Sequence, residues 1–122
     1  AVTRRYITYQ LDRDGHTVAV AEDGRQALEQ LSTGDFDMVL MDIQMPVMDG
    51  AEAILRIRKG EAGSRNTDIP VIALTAYALS GDRERLLQIG ADDYVAKPAE
   101  VAQLHAAIAR HVSRMQLRRA DA

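Results

Sequence analysis

The run Met38-Val39-Leu40-Met41, closed by Asp42, decides how this sequence folds. It is compact, wholly apolar and entered through the breaker Gly34-Asp35, as a parallel strand buried on both faces should be. Val71-Ile72-Ala73-Leu74 repeats the pattern after Asp68-Ile69-Pro70, and Val18-Ala19-Val20 does so after Asp14-Gly15-His16. Tyr94-Val95-Ala96, introduced by Gly90-Ala91-Asp92-Asp93, is a shorter fourth run. Amphipathic stretches lie between these strands. Ala27, Leu28 and Leu31 share a face, as do Ala51, Ile54 and Leu55, and Leu86 and Leu87 precede a stop at Gly90. The longest stripe is Val101, Leu104, Ile108, Val112 and Met115, at three- and four-residue steps. The opening segment carries Val2, Tyr6 and Tyr9 on one stripe with Ile7 and Leu11 beside it, and ends at Gly15, a C′ glycine. Helix and strand therefore alternate, beginning and ending with helix. Crossovers of this length suit parallel strands, which predicts an open, doubly wound α/β sheet with helices on both faces. Ligands of such sheets bind beyond the carboxyl ends of the strands.

The composition narrows the function. A chain of 122 residues with 47% apolar and 27% charged residues is one domain's worth and buries a single core without staples. Cysteine is absent, which excludes a disulfide framework, a cysteine nucleophile and a cysteine-ligated zinc, and fits a reducing compartment. No apolar run approaches the roughly 18 residues of a membrane span, and AVTRRYITYQ has no secretory pattern. The net charge of -3, the four tyrosines, the single Phe and the absence of Trp argue against a nucleic-acid surface. The basic tail Arg114-Met115-Gln116-Leu117-Arg118-Arg119 reads as the solvated end of a helix. His16, His105 and His111 do not gather acidic residues at metal-ligand spacing, and the methionines Met38, Met41 and Met115 read as core filler.

At the edge where chemistry is expected, three strands end in Asp42, Thr75 and Lys97. Each has an ordinary reading: a turn-forming Asp, a packing Thr, a solvated Lys. Together they offer a carboxylate nucleophile, a hydroxyl donor and a cation, which is what a phosphoryl group needs while an aspartyl phosphate forms.

Leu40-Met41-Asp42-Ile43-Gln44-Met45-Pro46-Val47-Met48-Asp49-Gly50 resembles the phosphoacceptor signature of response-regulator receiver domains. Ile69-Pro70-Val71-Ile72-Ala73-Leu74-Thr75-Ala76 and Gly90-Ala91-Asp92-Asp93-Tyr94-Val95-Ala96-Lys97-Pro98 resemble its other two motifs, in order and spacing, and Gly15-His16-Thr17-Val18 and Ala21-Glu22-Asp23-Gly24 match the run around its second strand. The resemblance covers nearly the whole chain. It implies a flavodoxin-like fold, one receiver domain over residues 1–122, and a role in a two-component phosphorelay. Asp42 would take a phosphoryl group from the phosphohistidine of a histidine kinase or histidine phosphotransfer protein. Thr75 and Lys97 would each hold a phosphoryl oxygen, and Ala76 would leave room for the group. Gln44 and Tyr77 would modulate hydrolysis, and Tyr94 would turn inward with Thr75 as a switch, against the ordinary reading of a half-buried strand aromatic. Magnesium is the implied cofactor, held by Asp42 and the backbone carbonyl of Gln44. A cis Lys97-Pro98 peptide, a cytoplasmic location and a dimer through the fourth and fifth helices belong to the same resemblance, which implies neither nucleic-acid nor membrane contact.

The family has one more strand, ahead of everything seen here, ending in an acidic pair that completes the magnesium site. Ala1-Val2-Thr3-Arg4-Arg5 aligns with the start of the helix after that pair. The absent strand would be central, between Val18–Val20 and Met38–Met41, and each buried backbone group left without it costs on the order of 1–3 kcal/mol. Upstream residues omitted from the chain, a strand from another chain and a rearranged sheet all account for this; the first is favoured, since Ala1 stands where an initiator Met would. Asp12, Asp14, Glu22 and Asp23 sit at a helix end and a turn and read as solvated, not as replacement ligands. The run Ala73–Glu84 is similar to receivers of hybrid sensor histidine kinases, whose parent chain is a kinase; the isolated domain promotes only its own phosphorylation and hydrolysis, so the question of enzyme or not stays open. The alternative is a receiver-like module that binds a partner without phosphorylation. Retention of Asp42, Thr75 and Lys97 together argues against it. A phosphatase using an aspartyl phosphate would need an acid where Gln44 stands.

Overall fold

The computed structural model describes residues 11–13, 15–44, 47–76, 83–97, 100–114 and 117. In chain order these form the helical residues 11–13 (α1), α2 (Gly24–Thr33), β1 (Val39–Asp42), α3 (Gly50–Arg58), a 3-10 turn at Ser64–Asn66, β2 (Val71–Thr75), α4 (Arg83–Ile89), β3 (Asp93–Ala96) and α5 (Val101–Arg110). The three strands are parallel in the order β1-β2-β3, with Asp42 opposite Leu74 and Thr75 opposite Ala96.

Alternation along the strands feeds two cores. Met41, Val71 and Ala73 face a cluster with Leu31 of α2, Ile54 and Ile57 of α3 and Leu86 of α4. Leu40, Ile72, Leu74 and Val95 face the other, with Leu11, Leu104 and Ala107. Helices thus cover both faces, and β2, central and fully buried along its length, reads as an unbroken apolar run for that reason. Burying a side chain such as Ile54 or Ile57 contributes roughly 1.5–3 kcal/mol.

The helices start where the sequence supplies caps. Asp23 accepts from the Gln26 N–H at 2.9 Å, and Gln26 Oε1 reaches back to the Glu22 N–H at 3.0 Å, a reciprocal arrangement close to a capping box. Asp49 accepts from the Glu52 N–H at 2.8 Å and opens α3. Gly50 follows because nothing larger fits: a Cβ there would stand 2.2 Å from the Asp42 carbonyl oxygen. At the other end of the first helix, Gly15 takes φ 93° and the His16 N–H returns to Leu11 O at 3.0 Å, as the C′ reading predicts.

Four expectations change. Val18–Val20 forms no strand; the Val20 carbonyl accepts from Gln30 Nε2 at 2.8 Å and the side chain is 44% exposed. A ladder needs a neighbour, and among the described residues none lies beside this segment or along the free edge of β1. Leu55 and Leu87 are exposed, and Ile57 takes the core place on α3 that periodicity gave to Leu55. Val112 is also largely exposed, while Ala107 packs fully against the sheet beside Leu104. Arg114 is not a solvated tail residue: it pairs with Asp92 and donates to the Asp68 carbonyl at 2.5 Å. The opening stripe over residues 1–10, Asp14, the Met45-Pro46 turn, Tyr77, Pro98 with its cis peptide, Met115 and the remaining tail lie outside the described residues.

Candidate functional site

The carboxyl ends of the three strands meet in one place. Backbone hydrogen bonds carry the ladder just past the strands, from Ile43 N–H to Leu74 O at 2.9 Å and from Lys97 N–H to Thr75 O at 2.8 Å. The three sequence-predicted groups are therefore delivered to the same edge. Lys97 Nζ forms an ion pair with Asp42 Oδ1, and both side chains are partly exposed, at 20% and 35%. Thr75 is completely buried. The carboxylate keeps a path to solvent while the hydroxyl is fixed by packing, which suits a group that must be reached from outside and one that must not wander.

Gln44 ties this edge together. Its backbone N–H donates to Asp42 Oδ1 at 3.1 Å. Its side-chain Nε2 lies 3.4 Å from Thr75 Oγ1, and its Oε1 accepts from the Ala76 N–H at 3.0 Å. Sequence reasoning gives Gln44 its backbone carbonyl and an influence on hydrolysis, but not this bridge; only the parallel register brings residue 44 opposite residues 75 and 76. Val47, three residues on in the chain, holds φ 66° and is 81% exposed, an uncommon backbone for a β-branched residue.

Tyr94 sits opposite Ala73 in register, two positions short of Thr75 along the sheet. It is half-buried, packs on the cluster under α3 and α4, and carries Arg83 Cζ of α4 5.3 Å from its ring centroid. The guanidinium covers a ring face, a contact of about 0.5–1 kcal/mol where water reaches it.

The opposite edge, where strands begin, holds a second set of charges that sequence reasoning missed. Arg58, in the last turn of α3, donates to Gly90 O at 2.7 and 2.9 Å, to Thr67 O at 3.1 Å, to Ile69 O at 2.7 Å and to Asp92 Oδ2 at 2.9 Å. Burial pulls its guanidinium below the ordinary value and Asp92 opposes that pull. Asp92 Oδ2 also accepts from the Val71 N–H at 2.8 Å, where β2 starts. Beside it, Asp93 accepts from Arg110 Nε at 2.7 Å and lies 3.1 Å from His111 Nε2. Burial pushes the Asp93 carboxyl up, but hydrogen bonds from Arg110, the Tyr94 N–H and His111 outweigh it and hold the group below its ordinary 3.8. A signal for Arg58 was present: it stands four residues after Ile54, so a charge sits on the buried stripe.

The two oxygens implied for magnesium, the Asp42 carboxylate and the Gln44 carbonyl, do not make a magnesium site by themselves. Among the described residues no three His, Cys, Asp or Glu side chains gather to hold a metal. Magnesium wants near-octahedral oxygen ligation, and one carboxylate engaged by Lys97 is a poor start.

A parallel sheet wrapped on both sides, with an acid, a hydroxyl and an ammonium at its carboxyl edge, defines an α/β flavodoxin-like protein with a polar, strand-end site. The family model of the response regulator receiver domain matches residues 1–109, and the chain belongs to that family. It is 42% identical over 94 residues, 77% of this chain, to the sensor histidine kinase GacS of Pseudomonas protegens, and 43% identical over 94 residues to the kinase BarA of Escherichia coli K12. Those matches cover 10% of each of these kinases, so the chain spans about a tenth of their length. Among solved structures, it superposes with a TM-score of 0.79 and 40% identity on the receiver domain of sensor histidine kinase PA1611 from Pseudomonas aeruginosa PAO1, covering 89% of this chain and 87% of that one. That domain has a magnesium ion coordinated in its active-site cleft. The relatives are thus receiver domains carried by hybrid sensor kinases. Among the described residues no helix is long and apolar enough to cross a membrane.

Proposed function

We infer that this chain is a phosphoacceptor: one receiver domain over residues 1–122 that takes a phosphoryl group on Asp42 from a phosphohistidine. The observation that carries this reading is the convergence of Asp42, Lys97 and the buried Thr75 at one strand-end edge, with the Lys97 ammonium on the carboxylate itself. An Asp42 oxygen forms the new bond to phosphorus while the phosphorus–nitrogen bond to the imidazole breaks. The ring nitrogen keeps the electron pair. Lys97 and the Thr75 hydroxyl then meet the negative oxygens of the acyl phosphate, where charge-assisted hydrogen bonds are about twice as strong as neutral ones. Retention of all three groups in contact distance of one another, directly or through Gln44, speaks against a module that binds without phosphorylation.

The donor is a histidine kinase or a histidine phosphotransfer protein, in the cytoplasm, and the kinship with GacS and BarA supports a parent chain of the hybrid kinase type. Magnesium supports the chemistry in the intact domain, as the ion in the PA1611 receiver suggests, with its remaining ligands outside the residues described. Tyr94 and Thr75 form the switch, Gln44 and Tyr77 modulate hydrolysis, and the face of α4 and α5 is the surface for a dimer. Intact-mass measurement after incubation with magnesium and acetyl phosphate tests the reading. One phosphoryl adduct in the wild type and none in Asp42→Asn is the expected result; an adduct that persists in the variant overturns it.

A further inference from the structure

An aspartyl phosphate on Asp42 presents three terminal oxygens, and each needs a donor. The strand-end edge offers three of them: the Lys97 ammonium, the Thr75 hydroxyl and the Ala76 N–H. Lys97 is already on Asp42. The other two are addressed by one side chain. Gln44 Oε1 accepts from the Ala76 N–H at 3.0 Å, in the manner of a phosphoryl oxygen, and Gln44 Nε2 stands 3.4 Å from Thr75 Oγ1. The Gln44 backbone N–H donates at 3.1 Å to the very carboxylate that would be modified, so the side chain is anchored beside the reacting oxygen.

Resting on the phosphoacceptor reading, we propose that the Gln44 carboxamide is a place-holder: it fills the phosphoryl-oxygen site of the unphosphorylated chain and must swing out before Asp42 is phosphorylated. The amide oxygen takes the place of one phosphoryl oxygen on the Ala76 N–H, while the amide N–H donates to Thr75 Oγ1 and keeps that hydroxyl oxygen occupied. Its residue is solvent-exposed, so the displaced side chain has water to enter. An incoming phosphoryl group wins the exchange because the hydrogen bonds it accepts from the Ala76 N–H and the Thr75 hydroxyl are charge-assisted. After hydrolysis the amide returns and satisfies the Ala76 N–H again. Gln44 is in this sense a positioning residue acting on the resting state, a role separate from any influence on the hydrolysis step.

The arithmetic is that of a pre-existing equilibrium: the apparent rate of phosphorylation scales with the fraction of molecules in which the site stands open. One exposed and one part-buried neutral hydrogen bond hold it closed, so removing them speeds phosphorylation by about three- to tenfold. Gln44→Ala removes the amide outright. Gln44→Glu keeps an acceptor for the Ala76 N–H, loses the N–H that donates to Thr75 Oγ1, and adds a charge beside Asp42; it leaves the site filled and slows phosphorylation.

The test combines two readings on the full chain. Phosphorylation of Asp42 by acetyl phosphate, with magnesium present, is followed by intact mass for the wild type, Gln44→Ala and Gln44→Glu. The Ala76 amide proton is followed by NMR before any phosphodonor is added, which reports the hydrogen bond itself and which a merely structural role would not move. The expected result is faster phosphorylation in Gln44→Ala, slower in Gln44→Glu, and an upfield shift of the Ala76 amide in Gln44→Ala alone. Equal rates in wild type and Gln44→Ala, or an Ala76 resonance untouched by that change, overturn the place-holder while leaving Asp42 as acceptor. No phosphorylation of any of the three proteins overturns the Asp42 reading, and the place-holder with it.

Discussion

Asp42 and Arg58 are both charged, both at the edge of the same sheet, and surrounded in opposite ways. Asp42 meets a partly exposed ammonium, a backbone N–H and solvent. Arg58 meets three carbonyl oxygens and a carboxylate, fixed by the ends of α3 and α4 and the approaches to β2 and β3. At the carboxyl edge the partners are side chains that can exchange one another for a ligand. At the amino edge the guanidinium satisfies the carbonyls of Thr67, Ile69 and Gly90 at once. In this chain one end of the sheet is closed by charge and the other stays open to solvent.

Breaking the closed end gives the largest effect. Arg58→Ala strips donors from the carbonyls of Thr67, Ile69 and Gly90 and leaves Asp92 without that partner. The expected loss is about 2–4 kcal/mol in a denaturant titration, since several part-buried acceptors left unpaired together each carry a share of the desolvation penalty. A loss under about 0.5 kcal/mol, the level of an ordinary surface substitution, removes the distinction between the two ends. Gly50→Ala comes next. A methyl there meets the Asp42 carbonyl at 2.2 Å and Ile43 Cα at 2.8 Å, so α3 must retreat from β1. Overpacking of this type costs about 1–3 kcal/mol, and thermal unfolding measures it.

Lys97→Met sharpens the comparison from the open end. Its pair with Asp42 is partly exposed, so stability should change by less than about 1 kcal/mol, while the yield of phosphoryl adduct falls steeply. A large loss of stability with unchanged adduct formation would make Lys97 a structural residue like Arg58. The smallest effect concerns acid. The Asp93 carboxyl is held below its ordinary 3.8, so its contribution is present above about pH 4 and is lost as the pH falls through the lowered folded value. Asp93→Asn should flatten that acid limb of the stability–pH curve and leave the neutral region nearly parallel to the wild type.

The open end was far more legible in the sequence than the closed one. Asp42, Thr75 and Lys97 each follow an apolar run, and a parallel sheet sends every strand end to one edge, so local pattern and one topological rule were enough. The place of Arg58 on the buried stripe, four residues after Ile54, was legible, but the carbonyls of residues 67, 69 and 90 that converge on it were not, since no local pattern carries them. Arg114 was read as solvated because a tail of arginines is usually so; its partner Asp92 lies just ahead of β3, far away in the sequence. Val18–Val20 shows the reverse failure: the residue types suit a strand, yet a strand is made by its neighbour, and among the described residues none lies alongside. The Gln44 bridge follows from register alone, since it links residues 31 apart in the chain.

The central claim is that an acyl phosphate forms on Asp42 and nowhere else. The most direct measurement is borohydride reduction of the chain after phosphorylation by its histidine donor, followed by peptide mapping, because hydride converts an aspartyl phosphate to homoserine and leaves free carboxylates alone. The account predicts homoserine at position 42 only. Homoserine at another aspartate, or an unmodified peptide around Asp42 in a chain that has taken up phosphate, would contradict it.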